Sequence, residues 1–229
     1  MANKQEVLTR LHRTGLVPVL RAESAEQAFR LAEAIAAGGC DVVEVTMTVP
    51  DAVRLIARLV RERPDILVGA GTVLNAEQAM ACIDVGAQFV VSPAFHQETV
   101  ALCVKQGIGI LPGALTPTEV LRAWDAGADV VKVFPASAMG GAAYLRSLKA
   151  PLPQIELIPT GGVTLHTAHD FLHAGAFALG IGADLVNVHA IKAGQPELVS
   201  EQARKYLEIV RHWHASHGAA AEGLLSADA

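Results

Sequence analysis

The sequence predicts an α/β fold, a (β/α)8 barrel preceded by an N-terminal helix, and three observations carry that prediction. Eight short apolar, β-rich runs recur at intervals of roughly two dozen residues, each followed by a segment long enough for a helix. A local unit repeats in which an apolar helix end meets a glycine and then a strand, as in AIAAGGCDVVEV, ACIDVGAQFVV, RAWDAGADVVKV and FLHAGAFALGI, with a looser copy in LCVKQGIGIL. Finally, the first strand-to-helix turn, VPVLRAESAEQ, holds no glycine, which argues against an open doubly wound sheet with a dinucleotide site.

The elements follow in order. MANKQEVLTRLHRTG reads as an amphipathic polar helix without the apolar stretch of a signal peptide. Strands are expected over 17–21, 42–46, 66–70, 89–92, 108–111, 130–134, 155–159 and 178–181. Ser24 and Asn75, each before AEQ, supply helix N-caps, and Thr116 with Glu119 forms a capping box. No Pro/Ser-rich linker interrupts the series, so residues 1–217 are expected to form a single barrel domain. The low-complexity stretch HGAAAEGLLSADA lies at the end, and 218–229 is expected to be a loose tail.

Composition narrows the function. The 229 residues are 52% hydrophobic and 18% charged, which suits a compact enzyme-sized domain rather than a disordered chain. A net charge of −5 with dispersed Lys and Arg gives no nucleic-acid surface. No apolar run reaches the roughly 18 residues of a membrane span. Cys40, Cys82 and Cys103 are odd in number and lack metal-ligand spacing, so reduced thiols in the cytoplasm are expected.

Chemistry in such a barrel is expected at the C-terminal strand ends. There the sequence places Arg21, Glu44, Thr72, the Ser92–Pro93 pair, Lys132 and two glycine-bearing loops. Strand alternation lets Arg21, Glu44 and Lys132 all face inward while Val43, Val45, Val131 and Val133 face the helices. A lysine within VVKVFP is penalised as a cation. Burial in general lowers a lysine pKa from about 10.4, and catalytic lysines reach roughly 7 to 8. The neutral amine attacks a carbonyl and forms an imine, which is an electron sink. Glu44, the carboxylate among these strand ends, would move the protons. A buried Lys–Glu ion pair without chemistry is the structural alternative. The loops IPTGGVT and LGIGAD offer backbone N–H groups after the last two strands, the usual phosphate position of this architecture. With Arg21 and Thr72 available to a carboxylate, an acidic phosphosugar bearing a ketone fits.

These residues resemble the 2-keto-3-deoxy-6-phosphogluconate (KDPG) and 4-hydroxy-2-oxoglutarate (KHG) aldolases, a class I family. The resemblance spans roughly residues 14 to 212 and is carried by VPVLRA, VVEVTMTVPDA, VGAGTVLN, GAQFVVSP, LPGALTPTE, VVKVFPA and PTGGV. It implies that Lys132 is the Schiff-base lysine and Glu44 the acid/base. It also implies that Thr72 and Pro93 line the pyruvate pocket, that Phe134 flanks the lysine, and that Thr160, Gly161 and Gly162 serve hydroxyls and phosphate. No metal and no cofactor is expected. The partners implied are a small keto-acid substrate and copies of the same chain in a homotrimer.

Two departures stand out. Thr48 occupies a position where some members carry an arginine, so Arg21 is expected to take the carboxylate, as in one subgroup. Gly182–Ala183 replaces a frequent Gly–Ser, removing a phosphate hydrogen bond worth about 1.5–3 kcal/mol. A shorter, unphosphorylated keto acid therefore stays open as substrate. So do a phosphosugar isomerase or epimerase using Glu44 as base, and a non-catalytic phosphosugar sensor. His166 and His169 in HTAHD read as surface residues of a helix rather than half a metal site, and RHWHASH, with three histidines around Trp213, reads as a helix end packing its Trp rather than a metal site.

Overall fold

The computed structural model describes residues 3–217; the expected tail at 218–229 lies outside them. Helix α1 (Lys4–Thr14) leads into β1 (Leu16–Leu20), α2 (Ala25–Ala37), β2 (Val42–Thr46), α3 (Ala52–Glu62), β3 (Leu67–Gly71) and α4 (Ala76–Asp84). There follow β4 (Phe89–Val91), α5 (Gln97–Gln106), β5 (Gly109–Leu111), β6 (Gly113–Ala114), α6 (Pro117–Asp125) and β7 (Val131–Val133). A 3-10 turn at Ala136–Met139 precedes α7 (Ala142–Lys149), β8 (Leu157–Pro159), α8 (Ala168–His173), β9 (Leu179–Ile181), α9 (Val188–Lys192) and α10 (Pro196–His217).

All eight expected strands form, and just past the fifth a short further strand, β6, is added. Pro112 has no N–H to give, and it separates β5, which pairs with β4, from β6, which pairs with β7. Every strand pairing is parallel. The ladders run β5-β4-β3-β2-β1-β9 in one sheet and β6-β7-β8 in another, with isolated parallel bridges Leu157–Ala176 and Thr160–Gly180 between the last two strands. The result is a curled parallel sheet with helices outside.

The helix signals hold in detail. Ser24, Asn75 and Thr116 accept from the backbone N–H groups of Gln27, Gln78 and Glu119, and Glu119 reaches back to Thr116 at 2.7 Å. Asn3 and Glu6 make a second capping box on α1. The repeat glycines after the helices, among them Gly86, Gly127 and Gly175, take the positive φ that the repeat requires.

Inside the curl, small residues make room for large ones. Glu44 is in register with Val19 on one side and Gly69 on the other, so their side chains share the interior face. A Cβ on Gly69 would overlap the Phe89 ring. Phe89 is fully buried, and α1 places Val7 and Leu8 just under it, against Gly109. Phe89 and α1 thus fill the N-terminal end, leaving the opposite end to Glu44 and Lys132.

Candidate active site

Lys132 lies at the centre of β7, tied to its neighbour by the bond from its N–H to the Pro112 carbonyl at 2.9 Å. Its side chain is only 5% exposed, and its Nζ stands 3.9 Å from Glu44 Oε1. That separation is an ion pair without a hydrogen bond. Glu44 Oε1 in fact has no hydrogen-bond partner among the described residues. A buried carboxylate oxygen left bare is costly, of order 1–3 kcal/mol, and such an atom is suited to a ligand hydroxyl. Burial pushes the Glu44 pKa up, against the opposing pull of Lys132 and then Arg21.

The carboxylate owes its position to Gly71, at the end of β3. A Cβ there would overlap Glu44 Oε1, so the GAG sequence is what lets Glu44 lie across the neighbouring strand. The next residue, Thr72, has φ 55, a left-handed conformation that a β-branched residue rarely takes. Strain of this kind, about 1–3 kcal/mol, collects at functional sites. It is held by hydrogen bonds on either side, Met47 N–H to Gly71 O at 2.8 Å and Val73 N–H to Val91 O at 3.2 Å.

Arg21 follows β1 directly. It is exposed, forms no ion pair among the described residues, and lies near enough to lower the Glu44 pKa. The end of β2 is fastened to the same place, since the Thr46 hydroxyl donates to Leu20 O at 2.8 Å. Thr48 shares a 2.7 Å hydrogen bond with Thr46. Pro93, half-buried after β4, is approached closely by Gly113, where a side chain would strike the Pro93 carbonyl. The Phe134 ring centroid is 5.4 Å from Lys132 Nζ.

Thr160 is buried, its hydroxyl occupying the space above Gly180, across the bridge that joins the ends of β8 and β9. Gly161 and Gly162 have φ 93 and 75. The 3-10 turn docks on them, with Ala136 N–H to Thr160 O at 2.9 Å and Ser137 N–H to Gly161 O at 3.2 Å. Among the described residues the N–H groups of Gly161, Gly162 and Ala183 have no backbone acceptor. Gly182 faces open space and Ala183 is exposed.

The structure therefore brings Lys132, Glu44 and Phe134 into one interior end and places Arg21, Thr72, Pro93 and both glycine loops on its rim. The sequence marks VGAGTV (68–73) for a close backbone approach but does not pair Gly71 with Glu44, and it is silent on the turn carrying Ser137. The doubled glycine of GAG was the available signal for the first; the second has no periodic signature. The histidines lie elsewhere. His166 is exposed, His169 Nε2 is 3.0 Å from His173 Nε2, and Trp213 stacks on His217 at the end of α10. Among the described residues no group of three or more His, Cys, Asp or Glu is arranged to hold a metal ion.

A parallel α/β fold with a buried amine and carboxylate facing each other at the strand ends defines a class of protein that works on carbonyl compounds. The comparisons make the class specific. The profile of the KDPG and KHG aldolase family matches residues 7–201, and the chain belongs to that family. It is 39% identical over 201 residues to the 2-dehydro-3-deoxy-phosphogluconate aldolase of Treponema pallidum, covering 87% of this chain and 95% of that one. It is 34% identical to the KHG/KDPG aldolase of Escherichia coli K12, covering 84% and 91%. Among solved structures, the KDPG aldolase of Legionella pneumophila, with pyruvate captured as a covalent carbinolamine, superposes with a TM-score of 0.81. It is 31% identical and covers 86% of this chain and 96% of that one.

Proposed function

We propose that this protein is a class I aldolase that cleaves KDPG to pyruvate and glyceraldehyde 3-phosphate, with KHG, which gives pyruvate and glyoxylate, as a second substrate. The observation that carries the reading is the buried Lys132–Glu44 pair, 3.9 Å apart, with one carboxylate oxygen bare. The unprotonated Lys132 amine attacks the C2 ketone. Glu44 protonates the resulting carbinolamine hydroxyl, which leaves as water, and the protonated imine forms. Glu44 then takes the proton of the C4 hydroxyl. The C3–C4 bond breaks, its electrons pass into the imine as an enamine, and the aldehyde departs. Protonation at C3 and attack of water on the imine release pyruvate and the free lysine. Because burial raises its pKa, Glu44 is a stronger base than a solvated glutamate.

In this reading Arg21 and the strained Thr72 hold the substrate carboxylate, and Pro93 and Phe134 shape the pyruvate pocket. Thr160 meets a hydroxyl, while the N–H groups of Gly161, Gly162 and Ala183, with Gly182 leaving the approach open, receive the phosphate. The bridges between β8 and β9, and the direct passage of the chain from β5 through Pro112 into β6, support a single closed (β/α)8 barrel over residues 1–217. A homotrimer follows from the family resemblance, and the exposed Val104 and Leu121 offer apolar surface for it. Among the described residues no helix is long and apolar enough to cross a membrane, and we place the enzyme in the cytoplasm.

The test is pyruvate release from KDPG and from KHG, followed with a coupled dehydrogenase. Turnover of KDPG that vanishes in Lys132→Ala is the expected result; a Lys132→Ala enzyme of normal rate would remove the lysine from the chemistry.

A further inference from the structure

The loop after β9 carries a charge that works against the phosphate proposed to bind there. Asp184 stands two residues beyond Gly182 and beside Ala183, and it forms no ion pair among the described residues. A carboxylate free to turn inward would repel a phosphate dianion. Asp184 is not free. The Tyr206 hydroxyl donates to its Oδ2, and Gln202 Nε2 donates to the same oxygen at 3.1 Å and to the Asp184 carbonyl at 3.3 Å. Gln202 and Tyr206 are one turn apart on α10 and present both donors from one helix face. Tyr206 is fully buried, so its hydroxyl has no water to bond instead. Burial, and then Asp184, push its ionisation far above the ordinary phenol value, so it remains a donor. The turn itself is closed by the N–H groups of Leu185 and Val186 on Gly182 O, at 3.1 and 2.9 Å.

We infer that Tyr206 is a specificity-determining positioning residue. By holding the Asp184 carboxylate back against α10, it keeps the β9 loop open to a phosphorylated substrate. The inference rests on the phosphate placement proposed above.

Three variants test it: Tyr206→Phe, Asp184→Asn and the double variant. Tyr206→Phe keeps the ring and releases the carboxylate. Its KM for KDPG should rise about tenfold, or 1.4 kcal/mol. Its kcat, and the exchange of pyruvate methyl hydrogens with deuterated water, should not change. Adding Asp184→Asn should restore KM, because the fault is a charge. A double variant as poor as Tyr206→Phe would make Tyr206 merely structural, and an unmoved KM in Tyr206→Phe would overturn the inference outright. Should Tyr206→Phe fail to fold, Gln202→Leu takes its place, with a smaller rise in KM that Asp184→Asn again removes. Wild-type enzyme that exchanges pyruvate hydrogens but does not cleave KDPG would instead overturn the phosphate placement, and the inference with it.

Discussion

Glu44 is held in place by what Gly71 lacks. The absent Cβ is the space in which the carboxylate lies, so Gly71→Ala must displace it from Lys132. Turnover should fall about 100-fold or more, as expected when a general acid/base is misplaced. Far-UV circular dichroism should stay the same; a Gly71→Ala enzyme of wild-type kcat would contradict the placement. The raised pKa of Glu44 gives two further outcomes. In its proposed role as base Glu44 works only when ionised, so the acidic limb of kcat should lie above the ordinary glutamate value, and Glu44→Gln should abolish that limb along with most of the rate. For stability the sign is opposite. A carboxyl whose folded pKa is raised favours the fold below its unfolded pKa, and that advantage is lost as pH rises through the folded pKa. Glu44→Gln should therefore melt higher than wild type at pH 8, with the difference closing toward pH 4. A difference that widens toward acid would show that Glu44 is stabilised as the anion instead. In the phosphate site proposed above, Ala183→Ser adds one hydroxyl. KM for KDPG should fall about tenfold while KM for KHG, which has no phosphate, stays unchanged.

The helices show how far local chemistry reaches. Thr116 and Glu119 satisfy each other's neighbouring N–H groups at the start of α6, and Thr116→Ala should cost about 1 kcal/mol. In a domain of this size that is a fall of about 2–4 °C in Tm, readable by calorimetry. Such caps were legible because Ser24, Asn75 and Thr116 each act on residues three positions away. The inward direction of Glu44 and Lys132 was legible because alternation along a strand is local too. What escaped depends on contacts distant in sequence. The break at Pro112 appears only when β5 and β6 find different neighbours, and Gly71 matters only because Glu44, 27 residues earlier, lies against it. The hydrogen bond from Tyr206 to Asp184 spans 22 residues and two helices, and no periodicity announces it. The histidines of α8 and α10, readable as a cluster only in space, gather around Trp213 away from the strand ends.

At the scale of the molecule, the interior divides between a filled end and a reactive end. Phe89, Val7 and Leu8 pack around Gly109 at the N-terminal side of the strands, which leaves the side of Arg21 and the glycine loops for the proposed substrate. The three thiols are buried elsewhere, Cys82 on α4, Cys103 on α5 and Cys40 just before β2. Burial pushes Cys40 and Cys103 to about 12 and Cys82 to about 11, far from reactive thiolates. They should resist disulfide-exchange reagents in the native enzyme and react only on unfolding; rapid native labelling of any of them would contradict the packing. Lys132 is the one nucleophile that the account requires. Borohydride reduction in the presence of pyruvate, followed by peptide mass spectrometry, tests that directly. A reduced pyruvyl adduct on Lys132 is the expected result, and an adduct on another lysine, or on none, would take Lys132 out of the chemistry.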